Sequence, residues 1–373
     1  MLKTDVHAGR RIVLAMDCWS KKGLSESFLA ISASFFNPLS NTAQHSLLNV
    51  HKISHPHTGQ MLGEKIEETL RQWKIDSSQI LMAVTDNGSN MIKAINTLKF
   101  SRQVSVTVSG DDHSEDREQA EEGDDNEENE VLQIDDDDEL EEEETTEDDL
   151  AWEEVPLHRL PCVAHTLQLV LKEIDNNAAC CSLITKTRAL VKSLRKSGVA
   201  TGLLIEKCGK TVVVDCSTRW SSVYLMISRL LEIKPALLEV LDEMKLDGLL
   251  NSEWARLAEL CKLLEPFKEQ TDIMQTDTLS LSSIIPTLLE LSLHLQEPCF
   301  TKTLSVPLLS ALRRRFAIFL DPASANFDPI AAAATFLDPT VSSTTLQHDD
   351  MGHLLHAAKT YINKEASSRP MHC

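Results

Sequence analysis

The chain has 373 residues, 42% of them hydrophobic, and a formal net charge of −21, enough apolar material for one large domain or two ordinary ones. No apolar run reaches the roughly 18 to 20 residues of a bilayer-crossing helix, and Met1 leads into Lys3, Asp5 and His7 rather than a secretion signal, which argues for a soluble, non-secreted protein with no membrane partner. Nine cysteines without a C-x-x-C pair exclude a readable disulfide framework or four-ligand zinc module, and a reducing compartment fits them.

In chain order, 12-IVLAMDCWS-20, 28-FLAISASFF-36 and 45-HSLLNVHKIS-54 read as three short strands bounded by Gly, Ser, Asn or Pro. Residues 59–75 carry helical spacing at Leu62, Ile66, Thr69, Leu70 and Trp73. The run Ile80–Val84 then has the near-continuous apolar character of a strand covered on both faces, and it closes on Asp86. Read locally, Asp86-Asn87-Gly88 is a turn; the alternative is a carboxylate placed at a strand end for chemistry. Residues 89–100 read as a helix with Ser89 as its N-cap.

Between Asp111 and Glu154 there are 26 Asp and Glu against one Arg, a charge of −25 that leaves the rest of the chain at +4. So dense a block repels itself and cannot bury enough apolar surface to offset ordering, so 111–154 is expected to be a disordered loop. It is either a solvated spacer or an acidic tether that competes with nucleic acid for basic surface or recruits basic proteins. From 162-CVAHTLQLVLKEI-174 to about Phe319 nearly everything reads as helix, and Pro235, Pro286, Pro298 and Pro307 divide it into ordinary lengths. The stripe Trp254, Leu257, Leu260, Cys261, Leu264 and Phe267 has the spacing of a buried helix face. No fixed-period repeat is present.

Three strands, a helix and a strand ending in an acid suggest an RNase H-like sheet. The segments 14-LAMDCWS-20, 84-VTDNGSNM-91, 161-PCVAHTLQLV-170 and 217-STRWSSVYLMI-227, in this order and followed by a long helical region, resemble the catalytic region of hAT-superfamily transposases. The phrasing is nearest to the vertebrate, transposon-derived proteins that carry BED-type zinc fingers, and the resemblance covers about residues 10 to 340. It implies an α/β fold: an RNase H-like mixed sheet (βββαβα) interrupted by a large all-α insertion. The expected divisions are a first part of the sheet core at 1–110, the acidic loop at 111–154, the core continued at 155–175, the all-α insertion at 176–320 and a C-terminal segment at 321–373.

Enzymes of this fold hold two divalent ions about 3.5 to 4 Å apart on carboxylates from different strands. The resemblance places Asp17 and Asp86 in those positions, as vestigial catalytic residues and ligands of Mg²⁺. The family's third acid comes from a Ser-Glu-Arg-x-Phe-Ser-like segment that this sequence does not contain. Neither Glu365 nor the acidic loop has a context that replaces it. Two aspartates alone are expected to bind Mg²⁺ loosely, because affinity follows ligand count and geometry. Cys162 and His165 share a helix side but lack two further ligands, so no zinc site is assigned and His165 is carried over as a DNA or active-site contact. Arg219 and Trp220 match an Arg-Trp pair that enters the DNA site in active relatives, where the Trp stacks on a flipped base; the alternative is that Trp220 packs as core. Arg313, Arg314 and Arg315 cannot share one helix face and read by default as a solvated face.

The expectation is therefore a nuclear, transposon-derived protein, not an enzyme, acting through weak and largely non-specific DNA binding or through protein partners. It is expected to be monomeric, because the family's dimerisation region is not in the sequence, and to expose an apolar patch where the sheet lacks cover. Two alternatives stay open: an Mg²⁺-dependent nuclease using Asp17 and Asp86, and a pure protein-interaction module.

Overall fold

A computed structural model describes residues 11–20, 26–37, 40–104, 151–216, 219–276, 281–341 and 345–367. Strands β1 (Ile12–Ser20), β2 (Ser27–Asn37) and β3 (Thr42–Ile53) form an antiparallel meander. Helix α1 (Gly59–Trp73) returns the chain to β4 (Ile80–Thr85), which lies parallel to β1 on its other side. Helix α2 (Ser89–Thr97) follows, then β5 (Lys99–Val104), β6 (Ala151–Pro156) and β7 (Arg159–Pro161). The main sheet has the order β3-β2-β1-β4-β7, with β7 parallel to β4. This is the mixed RNase H-like sheet expected from the sequence, and the structure gives it five strands.

Strict alternation along β1 and β2 gives the sheet two faces. Leu14, Met16, Leu29, Ile31 and Ala33 pack on Leu62, Ile66 and Leu70 of α1 and on Met91, Ala94 and Ile95 of α2. The two helices approach so closely that a Cβ on Gly59 would lie 2.6 Å from the Cβ of Lys93, so only glycine fits at the start of α1. Among the described residues the opposite face is covered at β4 and β7 and at Val13 of β1, where Met82 and Leu160 join a second core made by the helices that follow. On the β1–β3 side that face stands open: Phe36 (54% exposed), Leu47 (61%), Val50 (44%) and Trp19 (42%) reach solvent. The register Ala30↔Val50, Ser32↔Leu47 and Phe36↔Ala43 shows that they belong to one surface.

The helical region comprises α3 (Val163–Leu171), α4 (Ala178–Lys196), α5 (Gly198–Cys208), α6 (Trp220–Glu232), α7 (Lys234–Glu243), α8 (Asn251–Ile273), α9 (Ile284–Leu295), α10 (Lys302–Arg315), α11 (Ala317–Leu320), α12 (Ile330–Leu337) and α13 (His353–Ser367). Its core runs on from Leu160 to Ala358, so the helices extend well past Phe319. Pro307 lies inside α10 and does not end it; its ring is exposed, and the helix continues past the hydrogen bond that proline cannot make. Among the described residues no helix is long and apolar enough to cross a membrane.

Three local expectations are corrected. The N-cap of α2 is Gly88, with Ser89 its first helical residue, and the helix stops at Thr97 because the chain turns directly into β5. β5 pairs antiparallel with β6, so Ala151–Glu154, placed by charge in the acidic loop, are strand backbone. The β-forming Phe100, Val104, Trp152 and Val155 outweigh the two neighbouring glutamates there. The remainder of the acidic block, 111–150, lies outside the described residues, as do Ser217 and Thr218.

Candidate functional site

Parallel pairing of β1 and β4 runs through Leu14↔Ala83, Ala15↔Val84 and Met16↔Thr85. The next residues along the two strands are Asp17 and Asp86. Because side chains alternate, both acids point to the face of Ala15 and Val84, the side on which the helical core sits. Strand spacing of about 4.8 Å then puts two carboxylates at one rim. Asp17 is exposed and Asp86 half-buried. The turn reading of Asp86 also holds, since its Oδ1 accepts the Gly88 N–H at 3.0 Å. One carboxylate oxygen therefore shapes the turn while the acid stands at the rim.

Two cysteines lie near the pair on opposite sides of the sheet, Cys162 against the helical core on the acids' side and Cys18 against the α1–α2 core on the other. Burial, then Asp86 and Asp17, push the Cys18 thiol above the ordinary range. Burial likewise pushes Cys162 up, opposed by the N–H groups of His165 and Ala164 and reinforced by Asp17 and Asp86. The Cys162 N–H bond to the Thr85 carbonyl sets the start of α3 beside the strand end, with the half-buried His165 on its first turn. Among the described residues no three His, Cys, Asp or Glu side chains converge as a metal cluster. Two carboxylates supply fewer hard oxygen ligands than a resident Mg²⁺ pair needs. Glu365 sits on α13 and does not complete the cluster.

Two residues without a sequence signal hold this rim together. Arg159, on β7, donates from Nε to Thr85 Oγ1 (2.7 Å) and from Nη2 to Asn87 Oδ1 (2.8 Å) and the Asp86 carbonyl (2.5 Å). Burial pulls its guanidinium below the usual range and Asp86 opposes this. Asn87 passes the strap on, donating to Thr166 Oγ1 at 3.2 Å, and Cys162 N–H donates to the Thr85 carbonyl at 2.7 Å. Gln168, one turn beyond His165, accepts the Trp220 N–H at 2.8 Å and donates to Ser221 Oγ at 3.2 Å, so it serves an orphan donor at the start of α6.

The Arg219–Trp220 pair is divided by that same helix start. Arg219 is exposed, whereas Trp220 is 8% exposed and packs in the helical core with Val223 and Met226. The aromatic ring open to solvent near the acids is Trp19, two residues after Asp17 on the same face and stacked on Phe28 at 5.6 Å. Of the arginine triplet, Arg313 and Arg314 are exposed and Arg315 half-buried, and Arg314 pairs with Glu173 at 2.7 Å.

The family model described as the ZBED1 RNase-like domain matches residues 15–112, and that described as the ZBED1 RNase-like helical domain matches residues 160–263. The human "Zinc finger BED domain-containing protein 4" is 25% identical over 198 residues, 51% of this chain and 17% of its own length. "Putative transcriptional regulator tpeD" of Talaromyces stipitatus is 24% identical over 321 residues, 78% of this chain and 32% of its own length. "Putative AC transposase" of Zea mays is 33% identical over 125 residues, 30% of this chain and 15% of its own length. The chain spans no more than 32% of the length of any of these three relatives.

Proposed function

The chain belongs to the hAT transposase-derived group of BED-type proteins, and from that premise we propose that it is a nuclear regulator that binds DNA weakly, with little sequence preference, and does not cut it. One observation supports this most: Asp17 and Asp86 share a rim where, among the described residues, no third His, Cys, Asp or Glu side chain converges with them, and Asp86 already gives one oxygen to the Gly88 turn. Magnesium chemistry is supplied by hard oxygen ligands, and here two carboxylates stand where a full set would be needed. Charge supports the binding half of the proposal, since the chain outside 111–154 carries +4.

A titration of labelled duplex DNA at two salt concentrations tests this. Affinity should fall steeply as salt rises, with a log–log slope of about −0.9 for each phosphate contact. Salt-independent affinity, or none at low salt, would favour the second reading, a protein-interaction module. That reading draws on the open apolar face of Trp19, Phe36, Leu47 and Val50, a surface type that marks contact sites.

A further inference from the structure

Beside β7, the last strand of the main sheet among the described residues, lies a groove of about 1250 Å³ lined in part by Arg159 and Pro161. Ser77, Ser78, Ile80 and Arg159 line it together with Arg315, Asn326, Phe327 and Tyr361. Asn87, the residue after Asp86, is also part of the lining. Five basic side chains line it, Arg11, His158, Arg159, Arg314 and Arg315, against the acids Asp328 and Glu365.

The way these charges are paired identifies what the groove lacks. Asp328 is engaged twice, by His158 Nε2 at 2.5 Å and by the Ile330 N–H at 2.9 Å. Arg314 is paired with Glu173. The bonds of Arg159 go to neutral oxygens. Among the described residues no carboxylate lies at ion-pair distance from Arg11, Arg159 or Arg315, and the buried Nε of Arg315 has no acceptor. Three guanidinium groups along one groove call for an anion with several charges in a row.

The sheet edge distinguishes between two such anions. An acidic peptide would dock by adding a strand to β7. The backbone groups of residues 158, 160 and 162 point inward to β4, as Ala83 N–H to His158 O and Cys162 N–H to Thr85 O show. The outward positions are Arg159 and Pro161, and proline has no N–H, so the edge is blunted against strand addition. What remains is side-chain recognition by planar forks together with the hydroxyl and amide groups of Ser77, Ser78, Asn96 and Asn326, which suits phosphodiester oxygens.

We infer that this groove seats a single nucleic-acid strand, with phosphates on Arg11 and Arg315 and the strand's course ending at Arg159, beside Asp86. The inference rests on the DNA-binding reading and adds the site. It is tested on the full chain by fluorescence anisotropy with a labelled oligothymidylate, comparing wild type, the double variant Arg11→Glu/Arg315→Glu, and Lys192→Glu/Arg195→Glu on α4 as a control with the same change of charge. The groove variant should bind at least about tenfold more weakly than the control, and its log–log salt slope should shrink by about 1.4, or about 0.7 for each lost phosphate contact. Arg11→Gln, at an exposed residue, gives the same readout with about half the slope change and guards against misfolding of the double variant. Equal losses in groove and control variants would overturn the inference, as would a wild type that binds duplex but not oligothymidylate. Polyglutamate that outcompetes oligothymidylate for the wild type but not for the groove variant would also overturn it and assign the groove to acidic peptides. A wild type that binds neither duplex nor single strand would instead remove the DNA-binding reading itself.

Discussion

Trp220→Ala is expected to lower the unfolding free energy by about 3 to 5 kcal/mol, the usual cost of removing a large aromatic from a packed core. The residue is 8% exposed, packs with the helical core and hands its backbone N–H to Gln168. Arg219→Ala, one position earlier and exposed, should leave stability within about 0.5 kcal/mol. Urea unfolding of the two variants measures both. A Trp220 that serves to stack on a base would give the reverse pattern, with stability nearly unchanged and DNA affinity weakened by about 1 to 3 kcal/mol. The aromatic ring exposed near the acids is Trp19.

Arg159→Leu should cost about 2 to 3 kcal/mol and loosen the rim. The substitution removes the bonds to Thr85 Oγ1, the Asp86 carbonyl and Asn87 Oδ1, and strands acceptors that are partly shielded from water. Arg159→Lys should recover only part of the loss, because an ammonium group cannot reproduce a fork that spans three acceptors. A change below about 0.5 kcal/mol for Arg159→Leu, in the same urea experiment, would show that the β4 turn is held by other contacts.

The sheet and its acid pair were legible in the sequence because both rest on local pattern. The runs 12-IVLAM-16 and 80-ILMAV-84 announce strands by continuous or alternating apolar character, and each ends near an acid. That these acids are neighbours followed from the family resemblance, and the register Met16↔Thr85 supplies the geometry. Long-range partnerships were not legible. Arg159 acts on residues more than 70 positions away and Gln168 on one 52 positions away, and no spacing rule reaches across such gaps. The β5–β6 hairpin was hidden because the charges around Glu153 and Glu154 outweigh the strand signal in any local window. The groove was invisible for the same reason as Arg159: residues 11, 77, 159, 315 and 361 meet only after the sheet and the last helices have packed. Trp220 was undecided because a helix start on the surface and one against the core read alike in sequence, and the fold buries this one.

The most direct test incubates the purified chain with labelled DNA and Mn²⁺, beside Asp17→Asn and Asp86→Asn. The account predicts retained, salt-sensitive binding with no strand cleavage in any of the three. Cleavage by the parent chain that disappears in both variants would contradict it and show that the two aspartates work as a complete catalytic centre.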